Sequence, residues 1–228
     1  MSSRIAILIF PGVEMLDVVG PADAFSAAAR QVGIDSLYEL RMVGTQPGLA
    51  FGSSGLRLAT DRTIFDPDEP ADTILVAGCC DIRPMIEDCA AHQWLVRNTA
   101  LARRYGSMCN GTFALAAAGL LEGRRVTTHW GSAAKLAATY PNVTVEPDRI
   151  FVRDGRLYTS AGVTAGVDLA LALIEEDHGR AVALAVARRL VMFLKRSGSQ
   201  SQFSPYLAAQ ASAKLVIQEI QAWILDNL

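Results

Sequence analysis

The chain has few cysteines and few histidines for its length. Its 228 residues include four cysteines and three histidines, and no two cysteines stand in the CxxC spacing that is typical of a zinc site. The sequence therefore predicts no bound metal. This cysteine content, without a recognisable secretory signal, favours free thiols in a reducing compartment, so we expect a cytoplasmic protein.

Long hydrophobic runs and an excess of one charge are also missing. The longest apolar runs, such as residues 5–10, are too short to cross a bilayer, so no membrane partner is expected. The net charge is −2, which gives no general attraction for nucleic acid. Hydrophobic residues make up 51% of the chain, which excludes a disordered protein, and the length suffices for one large domain with an appendage.

Strands and helices are predicted to alternate through most of the chain. Apolar runs between turn signals predict strands at residues 5–10, 38–43, 56–59, 73–77 and 105–109, and a hairpin at 150–158. Helical patterns occupy residues 22–32, 84–104 (with a break near residue 92), 112–118, 132–140, 165–177 and 179–194. This alternation predicts an α/β fold with a doubly wound, mainly parallel sheet and helices on both faces.

The strongest local signal for chemistry is the segment 106–112, Gly-Ser-Met-Cys-Asn-Gly-Thr. Cys109 lies between a predicted strand and a predicted helix and has small neighbours, an arrangement typical of a nucleophile elbow. A helix N-terminus can lower the pKa of a cysteine and hold an oxyanion. On the local sequence alone, a buried cysteine that packs as a small hydrophobic residue is an equal alternative.

Two further motifs are interpreted as structural. Residues 162–166 are glycine-rich but lack the GxGxxG and GxxxxGK[ST] spacings, so no nucleotide cofactor is predicted and Thr164 is expected to cap the helix that follows. Residues 175–178, Glu-Glu-Asp-His, are expected to form a charged, solvated helix end. His92 is also expected to face solvent.

The composition changes after residue 194. Residues 195–204 are polar, and a linker is predicted at 195–212. Residues 213–228 predict an amphipathic helix whose apolar face consists of Leu215, Ile217, Ile220, Ile224 and Leu225. Such a face needs a packing partner, which is the same domain, a second subunit or a further domain.

Three blocks of sequence resemble the ThiJ/PfpI superfamily of class I glutamine amidotransferase-like domains. They are FPGVEMLDVVGP at 10–21, CNGTFALAAAGLLEGRRVTTHW at 109–130 and SAGVTAGVD at 160–168. The resemblance implies one such domain over residues 1–194, with a flavodoxin-like fold and a nucleophile elbow. Two branches look closest, namely isocyanide hydratase and the N-terminal sensor domain of AraC-type transcription regulators.

The tail favours the regulator branch. Residues 186–204 resemble the junction in those regulators, and residues 217–228 resemble the first helix of the AraC-type DNA-binding domain. The resemblance thus implies the sensor part of a longer regulator, which contacts DNA only through a C-terminal domain absent from this chain. It also implies a homodimer. An ordinary C-terminal helix that completes the fold or a dimer is the alternative.

The resemblance assigns roles to individual residues. The family's cysteine falls on Cys109, and the acidic residue of the hydratase branch falls on Asp17, in the loop after the first strand. A carboxyl group there can hydrogen-bond the thiol or move a proton. Glu14, in the same loop, is the alternative partner. Without the resemblance, Asp17 is simply an acidic residue near a helix N-terminus.

Two departures from the family pattern argue against catalysis. The residue after the cysteine is a histidine in the protease-like branch but Asn110 here, which cannot accept a proton. The family's paired glycines correspond to Gly78 and Cys79, and the Cys79 side chain takes up space near the site. A redox pair of Cys79 and Cys109 is a less favoured alternative.

The sequence predicts a pocket near the elbow, at the carboxyl ends of the strands. His129 is expected to bond the backbone rather than to form a dyad with the cysteine. The residues expected to bind ligand are Glu14, Gly78, Cys79, Asn110, Gly111 and His129. The predicted function is a ligand-sensing, dimerising domain without activity; the alternative is a cysteine-dependent hydratase or amidase, with Cys109 as nucleophile and Asp17 as acid/base.

Overall fold

A seven-stranded sheet forms the centre of the protein. The structure is a computed structural model that describes residues 3–67, 69–194, 220, 223 and 224. The strand order is β10-β11-β7-β6-β1-β2-β5, and every neighbouring pair is parallel except β10 with β11. Its strands are β1 (Ser3–Ile9), β2 (Tyr38–Gly44), β5 (Arg62–Thr63), β6 (Thr73–Val76), β7 (Arg104–Met108), β10 (Phe151–Asp154) and β11 (Leu157–Ser160).

Helices cover both faces of the sheet. Helices α1 and α6 pack together on one face, and α2 to α5 contribute to the hydrophobic cluster on the other. Two small pairs lie outside the main sheet: the hairpin β3 (Leu49–Phe51) with β4 (Arg57–Ala59), and β8 (Arg125–Val126) with β9 (Thr144–Val145). The helices are α1 (Met15–Val32), α2 (Arg83–Glu87), α3 (Cys89–Leu101), α4 (Thr112–Ala117), α5 (Trp130–Thr139) and α6 (Thr164–Arg189).

The first strand shows why the apolar runs are continuous. Alternate side chains of a strand point to opposite faces of the sheet, and here both faces are covered, so each position must be apolar. One face receives Ile5, Ile7 and Ile9, and the other receives Ala6, Leu8 and Phe10. The predicted doubly wound α/β fold, of the flavodoxin-like kind, is confirmed.

Helix α1 begins seven residues earlier than the sequence indicated. It starts at Met15 rather than at residue 22, and Pro21 lies inside it. Close packing on α6 accounts for Gly20, where a Cβ would lie 2.9 Å from Val167 Cγ2. The early start matters for the site, because it moves Asp17 from the predicted loop into the first turn of a helix.

Several other boundaries differ from expectation. The break in the predicted helix 84–104 falls at Asp88, whose side chain caps α3 by accepting the Ala91 N–H at 3.0 Å. His92 is half-buried rather than exposed, with Nε2 2.7 Å from the Met85 carbonyl oxygen. The two predicted helices at 165–194 form α6, which is interrupted by the non-helical Gly179.

The predicted linker at 195–212 lies outside the described residues. Of the predicted terminal helix, Ile220, Trp223 and Ile224 are described, and they are helical with exposed side chains. Within the part of the chain that the structure describes, no helix is long and apolar enough to span a membrane.

Candidate functional site

Cys109 lies in a sharp turn between β7 and α4. Met108 is still extended, with φ −114° and ψ 146°, whereas Cys109 has φ +52° and opens a single 3-10 turn, Cys109–Gly111. A residue other than glycine with such a φ costs about 1–3 kcal/mol unless its surroundings hold it in place. The turn has the geometry of the predicted nucleophile elbow.

The strained cysteine is held by its backbone neighbours. Thr128 Oγ1 donates a hydrogen bond to the Cys109 carbonyl oxygen at 2.8 Å, and Thr112 Oγ1 donates another at 3.2 Å. Gly162 packs directly on the turn, since a Cβ there would lie 2.2 Å from Cys109 Cβ and 2.4 Å from its nitrogen. The glycine-rich stretch 162–166 was the sequence signal for the close approach of Gly162, whereas no local pattern indicated the two threonine bonds.

Asp17 lies beside the elbow and is completely buried. Its Oδ2 accepts the Gly78 N–H at 2.8 Å, and its Oδ1 accepts the Val163 N–H at 2.6 Å. Val163, not Thr164, is the N-cap residue of α6 and has no side-chain cap. The carboxyl group of Asp17 therefore joins α1 to the end of β6 and to the start of α6.

The environment of Asp17 makes this carboxyl group a weak acid. Burial raises its pKa to about 7 from the usual 3.8; the two N–H donors oppose this shift, and the nearby Glu14 charge adds to it. Near neutral pH, the protonated and ionised forms of Asp17 are both well populated. The group can therefore give or take a proton.

Asn110 uses its side chain to bind the opposite loop. Its Oδ1 accepts the Cys79 N–H at 2.9 Å, and its Nδ2 donates to the Cys79 carbonyl oxygen at 2.7 Å. The N–H groups of Gly78 and Cys79, which could stabilise an oxyanion, are thus both bound within the protein, by Asp17 and by Asn110. Asn110 therefore binds the backbone of Cys79 and does not serve as a base.

Gly78 is the point where these groups converge. A Cβ at this position would lie 2.6 Å from Cys109 Cβ, 2.7 Å from Asp17 Oδ2 and 2.8 Å from Asn110 Oδ1. Real Cβ atoms do not approach other atoms so closely, so the site requires glycine here. Gly78 corresponds to the first of the family's paired glycines, and this lack of space for a Cβ explains why a glycine stands there.

The surroundings of Cys109 disfavour ionisation of its thiol. Burial, together with the negative charges of Asp17 and Glu14 and against the opposing effect of the Asn110 N–H, raises its pKa to about 12. A helix N-terminus can lower the pKa of a cysteine, but here burial and the acidic neighbours outweigh this effect.

Glu14 and Cys79 surround the site in different ways. The Glu14 N–H donates to the Gly78 carbonyl oxygen at 2.8 Å, and its half-buried carboxylate lies 3.5 Å from Ser53 Oγ. Cys79 is buried, and its Sγ donates to the Asp81 carbonyl oxygen at 2.6 Å. Burial raises the pKa of this second thiol to about 12 as well.

Gly111 and His129 have local structural contacts. A Cβ on Gly111 would lie 2.4 Å from the Val76 carbonyl oxygen, so this glycine packs against β6. His129 is the N-cap of α5, where Nδ1 accepts the Gly131 N–H at 3.2 Å, and burial lowers its pKa. These contacts support the structural role expected for His129. Among the described residues, no group of three or more metal-ligating side chains could hold an ion.

The fold and the site together define an α/β domain that presents a cysteine on a nucleophile elbow next to a buried carboxyl group. The chain belongs to the DJ-1/PfpI family, whose model matches residues 3–176. This match confirms the ThiJ/PfpI resemblance found in the sequence.

Three similar proteins illustrate the range of the family. The isonitrile hydratase of Pseudomonas putida is 37% identical over 179 residues, which cover 78% of this chain and 74% of that protein. The HTH-type transcriptional regulator CdhR of Pseudomonas aeruginosa is 31% identical over 193 residues, covering 84% of this chain and 56% of the regulator. A ThiJ/PfpI family protein from Pseudomonas syringae superposes with a TM-score of 0.75 at 25% identity, over 86% of this chain and 78% of that one.

Proposed function

We propose that this chain is the ligand-sensing and dimerising part of an AraC-type transcription regulator, and that it binds a small metabolite beside Cys109 without converting it. The observation that carries this proposal is the closed hydrogen-bond network of the site. The N–H groups of Gly78 and Cys79 are already bound by Asp17 and Asn110, and Cys109 carries a neutral thiol.

Catalysis by a cysteine needs features that this network opposes. A nucleophilic cysteine is normally a thiolate activated by a base, and backbone N–H groups stabilise the charge that develops on the substrate. Here burial and acidic neighbours oppose formation of the thiolate. To free the Cys79 N–H for a substrate, its hydrogen bond to Asn110 Oδ1 would have to break.

The same groups are suited to recognition. Cys109 is partly exposed, and the Glu14 carboxylate is half-buried near it. A carboxylate in this position favours a ligand with an amine or another hydrogen-bond donor, such as the N–H of an amide. We therefore expect an effector that carries an amine or an amide group.

Similarity to regulators supports the proposed biological role. The chain spans about half the length of the transcriptional regulators that it matches. In our proposal, DNA is bound by a C-terminal domain outside this chain, and effector binding here changes the arrangement of two such domains. The proposal also places the protein in the cytoplasm.

Exposed apolar side chains on two neighbouring elements support a homodimer. The hairpin β3–β4 lies against the start of α1, because Val13 and Gly52 form a β-bridge and a Cβ on Gly52 would overlap the Met15 side chain. This part of the molecule exposes large apolar side chains, which monomeric proteins seldom group together. They are Leu16 and Val19 on α1, and Leu49 and Phe51 on the hairpin.

The proposed dimer surface is tested by introducing a negative charge at one apolar position. We expect Leu16→Glu to convert a dimer to a monomer in sedimentation velocity, because the carboxylate would be buried at the interface. Leu101→Glu is the control, since Leu101 is also exposed but lies on α3, on the other face of the sheet. A Leu16→Glu protein that remains dimeric would contradict this surface.

A hydratase is the second candidate, and two observations favour it. The isonitrile hydratase is 37% identical to this chain, and Asp17 has a pKa close to 7 beside a strained Cys109. In this alternative, the Cys109 sulfur adds to the carbon of an isocyanide and Asp17 transfers the thiol proton to that carbon. Water then adds to the same carbon, and the C–S bond breaks to release the N-substituted formamide and the thiol.

Turnover of an isocyanide separates the two candidates. The purified chain is incubated with cyclohexyl isocyanide, and the N-substituted formamide is measured by mass spectrometry. The sensor proposal expects no formamide above the level seen with Cys109→Ala. Formation that depends on both Cys109 and Asp17 would instead establish the hydratase.

Thiol labelling tests the state of Cys109 directly. At pH 8 we expect iodoacetamide to modify the exposed Cys80 and Cys89 much faster than Cys109, because only a minute fraction of Cys109 is ionised. Asp17→Asn should accelerate labelling of Cys109, since it removes a negative charge that raises this pKa. Rapid labelling of Cys109 in the unmodified protein would contradict the neutral thiol.

A further inference from the structure

A pocket lies on the side of the Glu14 loop that faces away from Cys109. It has a volume of about 250 Å³ and opens at the carboxyl ends of β1 and β2, beneath the hairpin β3–β4. Its walls include Ile9, Thr45, Gln46, Pro47, Leu49 and Phe51. We propose that this pocket is a binding site for a small neutral molecule that carries a primary amide or a similar hydrogen-bonding group.

The pocket is separate from the Cys109 site. Neither Cys109 nor Asp17 lines it. The segment 11–14 runs between the two, with the Gly12 N–H donating to the Phe51 carbonyl oxygen at 2.8 Å on one side and the Glu14 N–H donating to the Gly78 carbonyl oxygen at 2.8 Å on the other. The proposal therefore does not depend on ligand binding at the elbow, although two of the pocket walls, Leu49 and Phe51, also belong to the proposed dimer surface.

Thr45 is the observation that points to a ligand. Its side chain lies in the pocket wall and is only 6% exposed. Its backbone N–H donates to the Ile9 carbonyl oxygen at 3.3 Å, but within the described residues its hydroxyl group has no hydrogen-bond partner. Buried hydroxyl groups are nearly always paired, so a group from outside the protein is the natural partner.

The remaining lining defines the chemistry of this ligand. None of the residues that line the pocket is charged, which excludes a strong site for an ion. Ile9, Leu49 and Phe51 provide apolar walls, while Thr45 and Gln46 can each donate and accept a hydrogen bond. A primary amide on a small apolar body complements both features. The volume lies below the range of about 300–1,000 Å³ that is usual for drug-sized ligands, so the molecule is small.

Benzamide is a suitable probe, and the test measures its dissociation constant by titration of backbone amide resonances in the intact 228-residue chain. We expect shifts at residues 45–51 and saturable binding in the millimolar range. Benzoate, which has the same shape but a negative charge, should bind more weakly. Thr45→Val should weaken benzamide binding about three- to tenfold, because one net hydrogen bond is lost.

Two controls make the result decisive. Thr45→Val should not lower the melting temperature, since the hydroxyl that it removes has no protein partner among the described residues, so weaker binding would not reflect unfolding. Thr139→Val, on the surface of α5, should leave benzamide binding unchanged. Cys109→Ala should also leave it unchanged, so failure at the elbow and failure at this pocket are distinguishable.

Three results would overturn the proposal. They are the absence of amide shifts at 10 mM benzamide, an unchanged dissociation constant in Thr45→Val, and binding that disappears in Cys109→Ala. The first two would leave Thr45 paired with water alone. The third would show that benzamide binds at the Cys109 elbow instead.

Discussion

At the scale of single residues, the site depends on a glycine and a buried carboxyl group. Gly78 allows Cys109, Asp17 and Asn110 to approach one another, and Asp17 binds two backbone N–H groups from different elements. The sequence indicated Cys109 through its local motif, and the resemblance to the family indicated Asp17. It could not indicate that Asn110 would bind Cys79, because these residues meet only after β6 and β7 pair.

The steric role of Gly78 can be tested by adding one methyl group. Gly78→Ala should lower the free energy of unfolding by about 1–3 kcal/mol, because the new Cβ would overlap atoms of three neighbours. Gly166→Ala is a matched control near the same elbow, where a Cβ would come no closer than 3.4 Å to Pro21 Cγ. Urea denaturation measures both, and equal effects would contradict the steric explanation.

Asp17 should make stability depend on pH in a defined window. Its pKa is raised to about 7 in the folded protein against 3.8 when unfolded, so the folded state holds a proton that the unfolded state releases. The contribution of Asp17 therefore becomes less favourable as the pH rises from about 4 to about 7, by an amount on the order of a few kcal/mol.

Comparison with Asp17→Asn isolates this effect. The free energy of unfolding of the unmodified protein, minus that of Asp17→Asn, should be larger at pH 5 than at pH 8 in urea titrations. Asp23→Asn, on the exposed side of the same helix, controls for the loss of a carboxyl group. If the difference between the unmodified protein and Asp17→Asn is the same at both pH values, Asp17 does not have the raised pKa.

At the scale of elements, apolar runs and turn signals predicted the major strands and helices. The short strands β3, β5, β8 and β9 were missed, because strands of two or three residues carry little hydrophobic pattern. The start of α1 was misplaced because Gly20 and Pro21 look like a helix opening, whereas both fit inside the helix where it packs on α6. Tertiary contacts thus overrode the local signal.

The interruption of α6 also has a testable cause. Gly179 has φ 80° and ψ 167°, a conformation that is nearly restricted to glycine. Gly179→Ala should therefore lower the free energy of unfolding by about 1–3 kcal/mol, although a Cβ there would meet no atom within 4 Å.

Gly33→Ala provides the comparison for this effect. Gly33 also has open space around it, but its φ of 76° and ψ of 25° lie in the left-handed helical region, which other residues can adopt at lower cost. We expect a smaller loss of stability than for Gly179→Ala in the same denaturation assay. Equal losses would show that the conformation of Gly179 is not specially restrictive.

At the scale of the whole molecule, a buried ion pair joins α6 to β7. It lies at the end of the sheet opposite the Cys109 site. Arg104, at the start of β7, is 2% exposed, and its Nη1 lies 3.0 Å from Asp177 Oδ1. Tyr38 Oη also donates to Asp177 Oδ2, at 2.9 Å. The expectation of a solvated helix end at 175–178 is therefore wrong for Asp177, because folding places β7 against it.

Removing one partner of this pair should be strongly destabilising. Asp177→Asn leaves the buried Arg104 charge without its main partner, so we expect a loss of about 3–5 kcal/mol in the free energy of unfolding at pH 7. Asp81→Asn is the control, because its partner Arg83 is largely exposed and such a pair contributes at most about 1 kcal/mol.

The same pair predicts sensitivity to acid. Burial alone would raise the pKa of Asp177, but hydrogen bonds and charge from Arg104, with help from Arg103 and Tyr38, hold it below the usual value of 3.8. Its stabilising contribution is present above about pH 4 and is lost as the pH falls through the lowered pKa. The difference in stability between the unmodified protein and Asp177→Asn should therefore shrink in strong acid.

The amino-acid sequence was sufficient for the class of fold and for Cys109, because hydrophobic periodicity and short motifs are local properties, whereas Asp17 was indicated by the resemblance to the family. The tertiary structure alone decided the chemical state of those side chains. Burial raises the pKa of the Cys109 thiol and brings the pKa of the Asp17 carboxyl group close to 7. Folding also brings separate elements together, so that Asp17 and Asn110 bind the N–H groups of Gly78 and Cys79. Desolvation and pairing depend on what surrounds a residue in space, and no local pattern of residues encodes them.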